Sequence, residues 1–194
     1  MPPELFIVSI VISVCSLLVS ALVAYLTLFR KGSVKVTQPT TIYFGADAGN
    51  RDTKSAGPKV YLRTLLYSTA KRGNVISSLH VRLTRGETIQ TFNIWVYGED
   101  GDLRRGSGLF VGEEGVTFNH HFLPPADGTA FKFLPGAYLL ELFVTQVDRQ
   151  KPKLLWSANL DLPQNLYEKM QTELAGGLFY DWQPNSNSYH VHHR

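Results

Sequence analysis

The sequence predicts a mainly β protein: an antiparallel β-sandwich with one short C-terminal helix, preceded by an N-terminal transmembrane helix. Three observations predict it. Residues 5–29, "LFIVSIVISVCSLLVSALVAYLTLF", are 25 uncharged residues. The rest of the chain carries short runs of β-branched and aromatic residues, separated by Gly-containing breaks. Between those runs there are no helical stretches of the kind a parallel α/β sheet needs. The 194 residues suffice for one ordinary domain plus an appendage.

The helix comes first. At about 1.5 Å per residue, residues 5–29 span roughly 37 Å against a hydrocarbon core of about 30 Å. Sixteen of them are Leu, Ile, Val or Phe, which favours insertion. Val19-Ser20-Ala21 would pass as a signal-peptidase site, but the run is too long and the flank "MPPE" lacks the basic residues of a secretory signal. Arg30, Lys31 and Lys35 follow the helix and put the domain on the cytoplasmic side of the membrane. Residues 30–87 hold 11 Lys+Arg against 3 Asp+Glu, whereas residues 88–194 hold 8 against 12. The basic half therefore adjoins the bilayer, where anionic lipid would attract Arg30, Lys31 and Lys35. A solvated basic face is the plainer reading. No aromatic-interleaved basic motif points to nucleic acid. Cys15, the only cysteine, lies in the helix, so the domain has no disulfide, as suits a reducing compartment.

Within the helix, Ser9, Ser13, Ser16, Ser20, Ala24 and Thr27 fall in an arc of about 80°. Small and hydroxylated residues on one stripe suit close packing against another transmembrane helix, from a second copy or another subunit. The simpler alternative is that the hydroxyls bond back to their own helix carbonyls.

After a juxtamembrane segment and loop at 30–58, the sandwich is expected over 59–182, with a polar His-containing tail at 183–194. Strands are expected at 59–68, 75–83 and 88–98, where Phe92, Ile94 and Val96 would share one face. Asp100-Gly101 supplies a hairpin turn. "SGLFVG", "GVTFNHHFL", "AYLLELFVTQV" and "KLLWSANLDL" continue the series. A helix is expected at 163–174, opened by Pro163 and stopped by Gly176-Gly177, with Leu166, Met170 and Leu174 as its apolar stripe. Phe179, Tyr180 and Trp182 should dock, and the end should fray. Residues 46–58 have the composition of a mobile loop.

"FLPGAYLLELFV", with Pro135-Gly136 as the turn and Tyr138 as a corner tyrosine, resembles the corner strand of immunoglobulin- and fibronectin-like sandwiches. "VYLRTLLYSTAKRGNVI", "FNIWVYGEDGDLRRGSGLFVGEEGV" and "NHHFLPP" resemble a set of uncharacterised bacterial single-pass membrane proteins with no assigned activity. That resemblance implies a bacterial inner-membrane location and transfers no catalytic residue.

The candidate chemistry is sparse. On a regular strand over 116–122, Val116, Phe118, His120 and Phe122 share one face, and Thr117, Asn119 and His121 the other. His120 then reads as a hydrogen-bonded core histidine and His121 as a surface group, unless a β-bulge intervenes. His190, His192 and His193 are the other metal-capable residues. A site would require the tail to reach His121 or an acid such as Asp181, because catalytic zinc usually takes three protein ligands. Glu113-Glu114 reads as a solvated turn, and Ser107 between glycines lacks the strand-to-helix setting of a nucleophile elbow. There is no phosphate-binding loop or dinucleotide fingerprint, so no cofactor is expected. The expectation is a membrane-anchored interaction module, a subunit or accessory factor of an inner-membrane complex. The alternatives are a metal-assisted hydrolase using His121 with tail histidines, and a periplasmic envelope-binding domain on an uncleaved signal anchor.

Overall fold

The computed structural model describes residues 2–47, 57–99, 102–125, 127, 130–172 and 176–194. Helix α1 (Pro3–Ala24) runs on into a π-helical turn (Tyr25–Phe29). Together they are long and apolar enough to cross a membrane, with no residue buried against the rest of the chain. Three serines bond back within the helix: Ser9 to the Phe6 carbonyl, Ser13 to that of Ser9 and Ser20 to that of Ser16, each at 2.8 Å. These are the intrahelical bonds that hydroxyls make in apolar surroundings.

Thirteen strands among the described residues form two antiparallel sheets. The larger sheet contains β1 (Val34–Val36), β2 (Thr41–Ala46), β3 (Pro58–Ser68), β6 (Ile94–Glu99), β7 (Asp102–Arg105), β9 (Val116–Leu123), β12 (Gly177–Gln183) and β13 (Ser188–His193). Its order is β13-β12-β2-β3-β9-β6-β7, with β1 also on β3. The smaller sheet runs β11 (Arg149–Leu162), β10 (Gly136–Gln146), β4 (Asn74–Arg85), β5 (Thr88–Phe92), with β8 (Leu109–Val111) also on β4.

One core lies between the sheets. Ile42, Phe44, Leu62 and Phe122 enter it from the larger sheet, and Leu79, Val81, Leu140 and Leu142 from the smaller. Each strand contributes alternate residues, because side chains on a pleated strand point to opposite faces. Tyr138 closes a corner of this core. Its hydroxyl donates to the Leu134 carbonyl at 2.5 Å and accepts the Leu134 N–H at 2.8 Å, the upstream backbone contact expected of a corner tyrosine. Gly136 before it has φ +128°, which a side chain rarely tolerates.

Four boundaries differ from the sequence expectation. The run 88–98 divides at Asn93 into β5 and β6, which belong to different sheets. Phe92 and Trp95 therefore point into the core, while Ile94 and Val96 are only half-buried, so Phe92, Ile94 and Val96 do not share one face. The domain also begins earlier than residue 59. β1 pairs with β3, and β2 sits between β12 and β3 with Ile42 and Phe44 fully buried. Helix α2 (Gln164–Thr172) starts one residue after Pro163, whose carbonyl accepts the Leu166 and Tyr167 N–H groups. Leu166 and Met170 pack on the core, and Leu174 lies outside the described residues. Asp100-Gly101 and most of the 46–58 segment also lie outside them.

Finally, the tail does not fray: β13 pairs with β12 along its whole length. Tyr189 and Val191 turn inward against the core, and the Tyr189 hydroxyl donates to the Pro39 carbonyl at 2.8 Å. Gln38 bridges Tyr189 and Trp156, accepting the Trp156 indole N–H at 3.0 Å.

Candidate functional site

β9 pairs with β3 from Val116 to Phe122 and with β6 from Asn119 to Leu123, with no shift of register. Its side chains therefore alternate strictly, and the adjacent histidines part company. His120 faces the core at 1% exposure. The Trp95 indole N–H donates to its Nδ1 at 3.1 Å. An accepting Nδ1 places the proton of the neutral ring on Nε2, which is buried without a partner. Burial, reinforced by neighbouring His121, pushes the His120 pKa down to about 3. His120 is thus a neutral core group packed among Trp95, Phe118 and Phe122.

His121 faces outward and packs on Tyr61, with ring centroids 5.0 Å apart. Burial first, and the Lys59 charge second, push its pKa down to about 4, against the opposing pull of Asp47. It is a neutral imidazole at ordinary pH, half-buried, with its buried Nδ1 unpartnered.

Register places His121 in a transverse row on the outer face of the larger sheet. His192 is opposite Phe179, Phe179 opposite Tyr43, Tyr43 opposite Tyr61, and Tyr61 opposite His121. Directly opposed residues on neighbouring strands lie within side-chain contact range, and ring contacts join Tyr61 to His121, and Phe179 to both Tyr43 and His192. Phe179 stacks on His192 at 5.8 Å and tilts against Tyr43 at 5.0 Å. An aromatic band thus crosses β13, β12, β2, β3 and β9.

The ring of Tyr43 is laid down on the sheet by two glycines. A Cβ at Gly45 or Gly177 would run into it, and its hydroxyl donates to the Ala46 carbonyl at 3.2 Å. The Tyr61 hydroxyl donates to Asn119 Oδ1 at 2.9 Å. The Lys59 ammonium sits 5.8 Å from the Tyr43 ring centroid and 3.0 Å from Asp47. Tyr43, Lys59, Tyr61, Asn119, His121 and Phe179 line an open depression of about 450 Å³.

The tail histidines belong to the far side of this face. His192 Nδ1 lies 3.7 Å from Asp181, whose other oxygen accepts the Thr41 hydroxyl at 3.1 Å. His190 is directly opposite Asp181, and His193 opposite Leu178. Three strands separate β13 from β9, about 19 Å at the usual strand spacing. The alternative of a metal site built from His121 and the tail histidines is therefore closed: pairing with β12 fixes the tail where it cannot reach His121. Among the described residues, no three His, Cys, Asp or Glu side chains gather into a metal-holding group. Glu113-Glu114 and Ser107 lie exposed in turns.

The band was hidden in the sequence for a simple reason. Tyr43, Tyr61 and Phe179 come from three segments remote in the chain. Their outward positions in "TIYFGA", "KVYLRT" and "GLFYDW" follow from period-two alternation, but their register does not. Compared with known proteins, the chain matches no family model and no curated protein.

Proposed function

We propose that this chain is a membrane-anchored binding module in which α1 tethers the sandwich and the aromatic band receives a protein partner. The observation that carries the reading is the band itself: five rings in register, with Tyr43 flattened over Gly45 and Gly177. Tyr and Phe are enriched at protein interfaces, and a rigid aromatic ring buries much area at small entropic cost. The charge of Arg30 and Lys31 after the helix supports a cytoplasmic domain and partners on that side. Protease treatment of cells stripped of their outer barrier tests that side: protection is expected, and digestion moves the search for partners to the envelope.

The binding test uses the full chain in its native membrane, carrying a photo-crosslinking amino acid at Tyr61 or Phe179. A discrete product is expected at both positions and not at Ile89, which is 61% exposed on β5 of the other sheet. Gly45→Ala, which lifts the Tyr43 ring, should weaken it. Equal products at all three positions, or none at the band, would reject the reading.

A further inference from the structure

Away from the aromatic band, the end of the sandwich next to α1 holds three large apolar side chains in water. Val75 is 47% exposed, Phe110 58% and Val147 66%. The fold gathers them from three chain segments. Phe110 on β8 is directly opposite Val75 on β4, and the Val147 N–H donates to the Val75 carbonyl at 3.0 Å. The Phe110 ring rests over Gly73, whose φ of +70° makes the turn into β4. A depression of about 250 Å³ lies among them, lined also by Lys31 and Arg72.

The rim is charged and mostly basic. Lys31, Arg72 and Asp148 line the depression; Arg30, Lys71 and Arg149, each next to one of them in the chain, are exposed, as are Glu113 and Glu114 just after β8. Asp148 is bonded to Lys31 at 3.2 Å. Apolar tips within a basic rim are what an interfacial membrane contact requires: the tips enter the acyl boundary, and the cations stay at the level of the phosphates.

Connectivity names the occupant. Only residues 30–33 separate Phe29, the end of the apolar helical segment, from Val34 of β1. Five extended steps cover at most about 17 Å, and Lys31 within that link already lines the depression. A bilayer crossed by α1 must therefore lie beside this end of the domain. We propose that Val75, Phe110 and Val147 dock the sandwich onto the surface of an anionic bilayer, holding it upright on its own anchor. The aromatic band then stays clear of the lipid, but the docking does not depend on what the band binds.

The test uses the full chain with Cys15→Ser, reconstituted in phosphatidylcholine vesicles containing phosphatidylglycerol. Single cysteines replace Phe110, Val147 or Glu87 and carry an environment-sensitive fluorophore. Glu87 lies in the turn after β4, about 36 Å along that strand from its start. Lipids spin-labelled near the headgroup should quench positions 110 and 147 severalfold more than position 87. The excess should shrink in phosphatidylcholine alone and in the paired variant Lys71→Glu, Arg72→Glu. Position 147, in an exposed turn, stays readable if the change at 110 disturbs β8. Equal quenching at all three positions, or quenching indifferent to lipid charge, would overturn the proposal.

Discussion

The two faces of β9 hold the same residue type side by side under opposite conditions. On the inner face His120 is sealed among aromatic rings, its Nδ1 taken by Trp95. On the outer face His121 lies half-buried on Tyr61, beside Lys59, with an unpartnered nitrogen. Both rings are held neutral, mainly by burial. Only the outer one can meet a ligand. A depressed histidine pKa therefore does not by itself mark a site. Access and neighbouring groups do.

The contrast can be broken from the inside first. Phe122→Ala, one pleat from His120 and fully buried, should cost about 3–5 kcal/mol in denaturant unfolding, because it opens a cavity in a close-packed core. A loss below about 1 kcal/mol would mean that the inner face is not the packed one.

Acid comes next. The folded state keeps His120 neutral down to about pH 3, whereas the unfolded chain takes up the proton near 6.5. Stability is therefore complete above that value and falls as the pH drops, by about 1.4 kcal/mol per pH unit between roughly 6 and 4 from this group alone. His120→Gln retains an acceptor for Trp95 without a titrating ring. It should flatten the pH dependence of the unfolding midpoint, and an unchanged slope would assign the effect elsewhere.

Tyr138→Phe should cost about 1–3 kcal/mol, since it strands the Leu134 N–H and carbonyl at the corner. The smallest stability effects belong to the outer face. His121→Ala and Gly45→Ala should each shift stability by less than about 1 kcal/mol while reducing photo-crosslinking at Phe179. If either unfolds the domain instead, the band is structural and the contrast between the two faces disappears.

Much of this was legible in advance. The apolar helix, the strand series, the tyrosine corner and the opposite orientations of His120 and His121 all follow from local rules: hydropathy length, alternation and turn residues. The tail departs from expectation because "NSNSYHVHH" is polar enough to resemble a free end. Its alternating Tyr189 and Val191 matter only once β12 offers an edge to pair with. β2 is hard to see in the sequence for a related reason: its six residues carry little periodicity, and their burial comes from β12 and β3 on either side.

The class of fold, an apolar helix long enough to cross a bilayer, and which residues of an unbroken strand share a face are thus all read from the chain alone, whereas the break at Asn93 is not. Those properties are set by near neighbours along the chain. Folding alone puts Tyr43, Tyr61, Phe179, His121 and His192 in one row. It alone brought Val75, Phe110 and Val147 to the same end of the sandwich. Strand order and register are long-range choices, made by which faces bury together and which edges find partners, and no short stretch of the chain contains them.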